Sequence, residues 1–375
     1  MSDRIEMASG AGIAGRPNRR RPRLVVLAVA LGLVLAACGG GSSESATSSE
    51  PPAAAEATET PAAAEPTAET ASEPDPSPTP APEPTATAVP EDGRTIIALD
   101  EQVAFALLSL GIEPDNVLTT LSSETFAALN AQLGLETTEF VIAEPSFELL
   151  AGFAPDLIVG IANPFVVDSI EEYERIATVV LAPLDATWQD QLRAIAVELD
   201  AGERAEMVID AVDALQADTT TALAAAGADG TSVSVMTVRV GNILAVDGGG
   251  AIGQLLAGVG LTRPEPQQVS GPPGIPFAFL SEETVGDHDA DVLLLPRAGI
   301  FDLEPLLESP IYQQLGAVQS GTAYDVVADA WVLGGNAFAT YWALQDLQDL
   351  LVDGIAPASL DAAEGRWAAF LDRIR

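Results

Sequence analysis

Residues 145–161, reading PSFELLAGFAPDLIVGI, place the tightest limit on what this chain can fold into. Phe147, Leu149, Leu150 and Phe153 recur at helical spacing, Ala154-Pro155 breaks the pattern, and Leu157-Ile158-Val159 follow as an apolar run led in by Asp156. A strand with no polar face needs cover on both sides of its sheet. That is the situation of a parallel strand flanked by helices. The stretch therefore predicts an α/β protein.

The first 93 residues do not have the composition of a packed domain. Arg16, Arg19, Arg20, Arg21 and Arg23 precede an apolar and small-residue run over 24–37 that ends in Leu35-Ala36-Ala37-Cys38. As a helix the run would reach roughly 21 Å, short of the roughly 30 Å hydrocarbon core of a bilayer. It reads as a signal peptide over 1–37, and the tetrad before the cut resembles a bacterial lipobox with Cys38 as the lipidated residue. Cys38 is the only cysteine, so disulfide frameworks and cysteine-metal chemistry are excluded. Residues 39–90 are rich in Ala, Pro, Thr, Ser and Glu, with no basic residue and almost no large apolar one. Such a segment cannot bury enough surface to offset its ordering entropy, so 38–93 is expected to be a disordered tether.

The sequence contains no lysine, and its formal net charge is −39. Cleavage before Cys38 would remove six arginines and two acids, moving the mature chain to about −43. No basic surface is available to displace counterions, so no nucleic acid is expected as a partner.

From Arg94 onward, strand and helix signals alternate. Strands are expected over 95–99, 157–159 and 178–181, with helices over 101–110, 122–133, 169–176 and 188–199. Residues 203–225 form one long helical pattern with few breakers. A second α/β series follows, with strands over 233–238, 242–246, 292–295 and 322–327 and helices over 252–259, 336–351 and 360–374. Ala290-Asp291 before the strand at 292 echoes Pro155-Asp156 before the strand at 157. The expected organisation is an N-terminal α/β lobe over 94–202, a connecting helix over 203–228 and a C-terminal α/β lobe over 229–375, each lobe with a mainly parallel sheet.

The segments PSFELLAGFAPDLIVG, LLAGVGL, FLSEETVGDHDADVLLL and SPIYQQLGAVQSGTAYDVVADAWVLGG, taken in order over about residues 94–351, resemble one family. It is the ferric-siderophore, haem and cobalamin branch of the substrate-binding proteins of ABC importers. The resemblance implies two lobes joined by a single stiff backbone helix, and an extracytoplasmic protein, held to the membrane by lipid on Cys38, that captures a ferric chelate. It implies an ABC permease with its ATPase as partners and a monomeric protein. It also implies that Glu148 and Glu283, one before the core strand of each lobe, pair with permease arginines. Cobalamin or haem as ligand, and a surface sensor or adhesive lipoprotein without transport, stay open.

Ligands of open α/β sheets bind beyond the carboxyl ends of the strands. Arg239, Arg297, Trp331, Trp188 and Phe165 occupy or follow such ends and are the candidate ligand-binding residues. Forked guanidinium donors suit carboxylate or catecholate oxygens, and aromatic rings suit apolar ligand faces. No resident metal or cofactor is expected, because the one histidine, His288, lies in an acidic run read as a solvated loop and the tyrosines are scattered; iron would arrive inside an organic chelate. No nucleophile elbow or catalytic triad is legible, so the chain is not read as an enzyme. Gly248-Gly249-Gly250 lacks the Lys-Ser/Thr of a nucleotide loop and reads as a turn.

Overall fold

The computed structural model describes residues 93–246, 248–268, 277–333 and 335–375. The expected signal peptide, most of the tether and Cys38 lie outside them.

Two five-stranded sheets organise the described chain. The first has strands β1 (Ile96–Ala98), β2 (Asn116–Thr119), β3 (Thr137–Glu139), β4 (Leu157–Ile161) and β5 (Thr178–Ala182), ordered β3-β2-β1-β4-β5 and parallel throughout. Alternation along the strands divides the core. Ile97, Leu99, Leu118 and Ile158 pack with Leu150, Val166 and Tyr173 on one face, while Ile96, Ala98, Val117, Leu157 and Val159 face the helices on the other. The apolar run at 157–159 is thus covered on both sides, as its composition requires. Its entry is a real break, with Ala154 in the left-handed region at φ 49°.

The second sheet contains β6 (Val233–Arg239), β7 (Asn242–Val246), β8 (Phe277–Leu280), β9 (Val292–Arg297) and β10 (Ala323–Val327), ordered β10-β9-β6-β7-β8. β10, β9 and β6 are parallel, but β6-β7 and β7-β8 are antiparallel. The sheet is therefore mixed rather than mainly parallel. The cause is the Val240-Gly241 turn, with φ of 50° and 73°: a two-residue loop can join only antiparallel neighbours.

The two Asp-led strands begin alike. Asp156 accepts the Thr95 N–H at 2.8 Å beside β1, and Asp291 accepts the Ser232 N–H at 2.9 Å beside β6. Each carboxylate ties the entry of one central strand to that of its neighbour.

A 25-residue helix, Gly202–Ala226, runs between the sheets in sequence and spans roughly 37 Å. Its start is held to the helix Trp188–Glu198 by the Arg193–Glu206 ion pair, and its far part lies by Gly258 of the second lobe, whose carbonyl oxygen is 3.5 Å from the Thr220 hydroxyl. Helix Ala337–Leu351 packs along it, with Gln348 Nε2 donating to the Thr219 hydroxyl at 2.6 Å.

The C-terminal helices, expected to close the second lobe, return to the first. Phe338 and Trp367 meet Phe105 of helix Glu101–Ser109 at ring-centre distances of 5.5 and 5.7 Å, and Phe105 meets Phe126 at 5.7 Å. This aromatic cluster joins four helices, two from each end of the described chain. Such rings bury large area and add about 0.5–1.5 kcal/mol per well-oriented pair.

Candidate functional site

The carboxyl ends of both parallel sets point to a common seam. The loop after β2 leads into helix Glu124–Leu133, and there the Glu124 Oε1 accepts the N–H of Gly299, which follows β9, at 2.6 Å. The Thr125 N–H donates to Asp329 Oδ2, just beyond β10, at 3.0 Å. These bonds connect residues 175 and 204 positions apart. A pocket at the seam is lined from both sides, by Glu101, Thr125 and Phe105 of the first lobe and by Asp329, Asn336 and Trp342.

The first-lobe wall is built by two adjacent acids. Asp100 caps helix Glu101–Ser109 by accepting the Val103 N–H at 2.8 Å. Burial raises its pKa to about 6, against the lowering effect of that bond. Glu101, also buried, turns its carboxylate to the next loop and accepts the N–H groups of Thr120 and Leu121 at 3.1 and 3.0 Å. One residue thus fixes the loop that carries Glu124 and Thr125 to the seam.

The second-lobe wall is one wide π-helical turn, Asp329–Leu333, followed by helix Ala337–Leu351 with Asn336 as its cap. Inside that turn Trp331 is 0 % exposed, and its indole N–H donates to Asp346 Oδ2 at 2.9 Å. Trp331 lines neither seam pocket and its N–H is already engaged, which corrects its expected role: it anchors the wall from behind. Asp346 also accepts the Ala358 N–H and pairs with Arg366, and burial raises its pKa to about 6.

The other candidates separate by lobe. Arg239 ends β6 half-buried, and Arg297 ends the neighbouring β9, so the two arginines stand on adjacent strand ends. Arg297 is already engaged, its Nε donating to Asp325 of β10 at 2.8 Å. Trp188 opens helix Trp188–Glu198 and lines a second seam pocket with Gln102, Ile161 and Asn336. Phe165 is 38 % exposed on the short helix Pro164–Asp168 after β4 and lines neither pocket. Glu148, on helix Phe147–Gly152 before β4, and Glu283, in the helical turn Glu282–His288 before β9, are both exposed.

His288 is not a solvated loop residue. It is 3 % exposed, within hydrogen-bond distance of Gln267 Nε2 at 3.2 Å, and burial lowers its pKa. Gln267 also donates to Ser234 and accepts from Arg263, forming a buried polar bridge under the second sheet. Among the described residues, no group of three or more His, Cys, Asp or Glu could hold a metal ion. Gly248 packs against the backbone of 267–268, where an added Cβ would lie 2.8 Å from the Gln268 carbonyl oxygen, so close packing accounts for that glycine.

Sequence reasoning missed Glu101, Glu124, Thr125, Asp329 and Trp342. The strand-end candidate Trp331 lies two residues from Asp329. Glu101 lies two residues beyond the expected strand end at Leu99.

The family profile for periplasmic binding proteins matches residues 96–330. The Probable siderophore-binding lipoprotein YfiY of Bacillus subtilis is 27 % identical over 285 residues, covering 69 % of this chain and 83 % of that protein. Among solved structures, Staphylococcus aureus SirA superposes with a TM-score of 0.60 at 20 % identity, covering 68 % of this chain and 98 % of that one. FhuD2 from the same organism, with bound ferrioxamine B, gives 0.58 at 15 % identity over 69 % and 98 %. With the family profile covering more than half of its length, and with two sheets meeting at their strand ends beside one long helix, this chain belongs to the periplasmic binding protein family.

Proposed function

We infer that this protein captures a ferric siderophore outside the cytoplasm and delivers it to an ABC permease, without turning it over chemically. The observation that carries the reading is the seam itself. The carboxyl-end loops of two separate sheets meet there, and both contribute lining residues. Parting the lobes would uncover the places where α/β sheets take ligands. The stiff helix Gly202–Ala226 and the helix packed along it limit such parting to a small hinge motion. The name of the Bacillus relative and the ligand held by one fold neighbour support a siderophore as guest. Iron is then cargo within that guest, not a cofactor. Attachment through lipid on Cys38 and docking through Glu148 and Glu283 complete the proposal.

Trp188 and Trp342 line the seam and provide the signal for the test. Titration of tryptophan fluorescence with ferric siderophores, haem and cobalamin should give saturable quenching by a siderophore. Saturation by haem or cobalamin alone would overturn the choice of ligand. No response to any of the three would overturn capture.

A further inference from the structure

The fixed charges at the seam are unequal in sign. Arg239 and Arg297 are the cations at the strand ends, and Arg297 is already bound to Asp325. The elements that meet at the seam also carry the carboxylates of Glu101 and Glu124 from the first lobe and of Asp302, Asp325 and Asp329 from the second. Asp302 is held at the end of β6 by its N–H bond to the Val238 carbonyl. Glu101 and Asp329 line the seam pocket, and Glu124 bridges the lobes beside it.

A second observation concerns neutral donors. The indole N–H of Trp342 and the hydroxyl of Thr125 are buried in the lining of the same pocket, with side chains 1 % and 2 % exposed, and neither has a partner among the described residues. Buried donors are ordinarily satisfied, so orphaned ones in a pocket wall mark where a guest oxygen is accepted. The lining therefore offers uncharged donors to ligand oxygens and a surplus of carboxylates to ligand charge.

A guest approaching this seam meets a negative potential, focused by low-dielectric walls and felt over about 8–10 Å at physiological salt. Ferric siderophores differ sharply in charge. Three hydroxamates cancel the charge of ferric iron, leaving a neutral complex, or a cationic one where a pendant amine is present. Three catecholates leave the ferric complex with three negative charges.

We propose that this seam takes neutral or cationic ferric hydroxamates and discriminates against tris-catecholates. The proposal rests on the siderophore reading above and narrows it. It also reverses the expectation that the two arginines call for an anionic guest, because Asp325 already neutralises one of them.

The test is isothermal titration calorimetry of the full chain with cationic ferrioxamine B, neutral ferrichrome and the tri-anionic tris-catecholate ferri-bacillibactin, at low and high salt. At least one hydroxamate should bind about tenfold or more tightly than the catecholate at low salt. High salt should narrow that gap. Asp325→Asn, which releases Arg297 and removes one exposed carboxylate, should narrow it about threefold or more by strengthening catecholate binding. A gap below tenfold, a catecholate preference, or a gap unmoved by both salt and Asp325→Asn overturns the charge selection while leaving siderophore capture standing. Failure of all three complexes to bind overturns both.

Discussion

Replacing Asp346 with alanine should cost more stability in acid than at neutral pH, the opposite of what removing an ordinary salt-bridged aspartate does. The carboxylate is 1 % exposed and accepts the Trp331 indole N–H at 2.9 Å and the Ala358 N–H at 3.1 Å, with Arg366 at 3.3 Å. Arg366 keeps a second carboxylate, Asp349, but the two N–H donors lose their acceptor. At about 1–3 kcal/mol per orphaned donor, the loss is about 2–6 kcal/mol at pH 7.5. Burial raises the Asp346 pKa to about 6, whereas in the unfolded chain it returns to about 3.9. Between those values the native state holds more protons than the unfolded one, so stability from this group is greatest in acid and is lost as pH rises through 6. The difference between pH 4.5 and 7.5 is about 2 kcal/mol. Guanidinium unfolding of wild type and Asp346→Ala, followed by tryptophan fluorescence at both pH values, should therefore show a cost about 2 kcal/mol larger at pH 4.5. Other acids, including Asp100, cancel in the comparison. Equal costs at the two pH values, or a larger cost at pH 7.5, would refute the argument.

Two further outcomes follow from single features. Val240 sits 79 % exposed in the β6–β7 turn at φ 50°, where a β-branched residue is strained, so Val240→Gly should raise the unfolding free energy by about 1 kcal/mol. An unchanged or lower denaturation midpoint would count against that turn. Combined Glu148→Ala and Glu283→Ala should reduce iron uptake in cells about tenfold with siderophore binding unchanged, since exposed charges steer docking more than they hold ligand. Parallel loss of uptake and binding would assign those acids to the fold instead.

Much of the architecture was legible because hydrophobic period and breakers are local. The strand at 157–159, the left-handed break at Ala154 and the long helix near 203–225 follow from neighbours in the sequence. The shared Asp lead-in to β4 and β9 was equally readable, and its reason became clear in the bonds to Thr95 and Ser232. Strands β2, β3 and β8 were not found. β2 and β3 are only four and three residues long, and β3 is the polar edge Thr137-Thr138-Glu139, which carries no burial signal.

The chain alone determined the α/β class, the two-part division and the placing of Arg239, Arg297, Trp188 and Phe165 at strand ends, because those depend on order and spacing. Only the tertiary structure decided what each side chain faces. It sent Trp331 inward to Asp346, paired Arg297 with Asp325, buried His288 against Gln267, and brought Glu124 to Gly299 and Thr125 to Asp329. These contacts join residues from neighbouring strands and separate lobes. Their energies depend on burial and partner geometry, which local patterns do not encode.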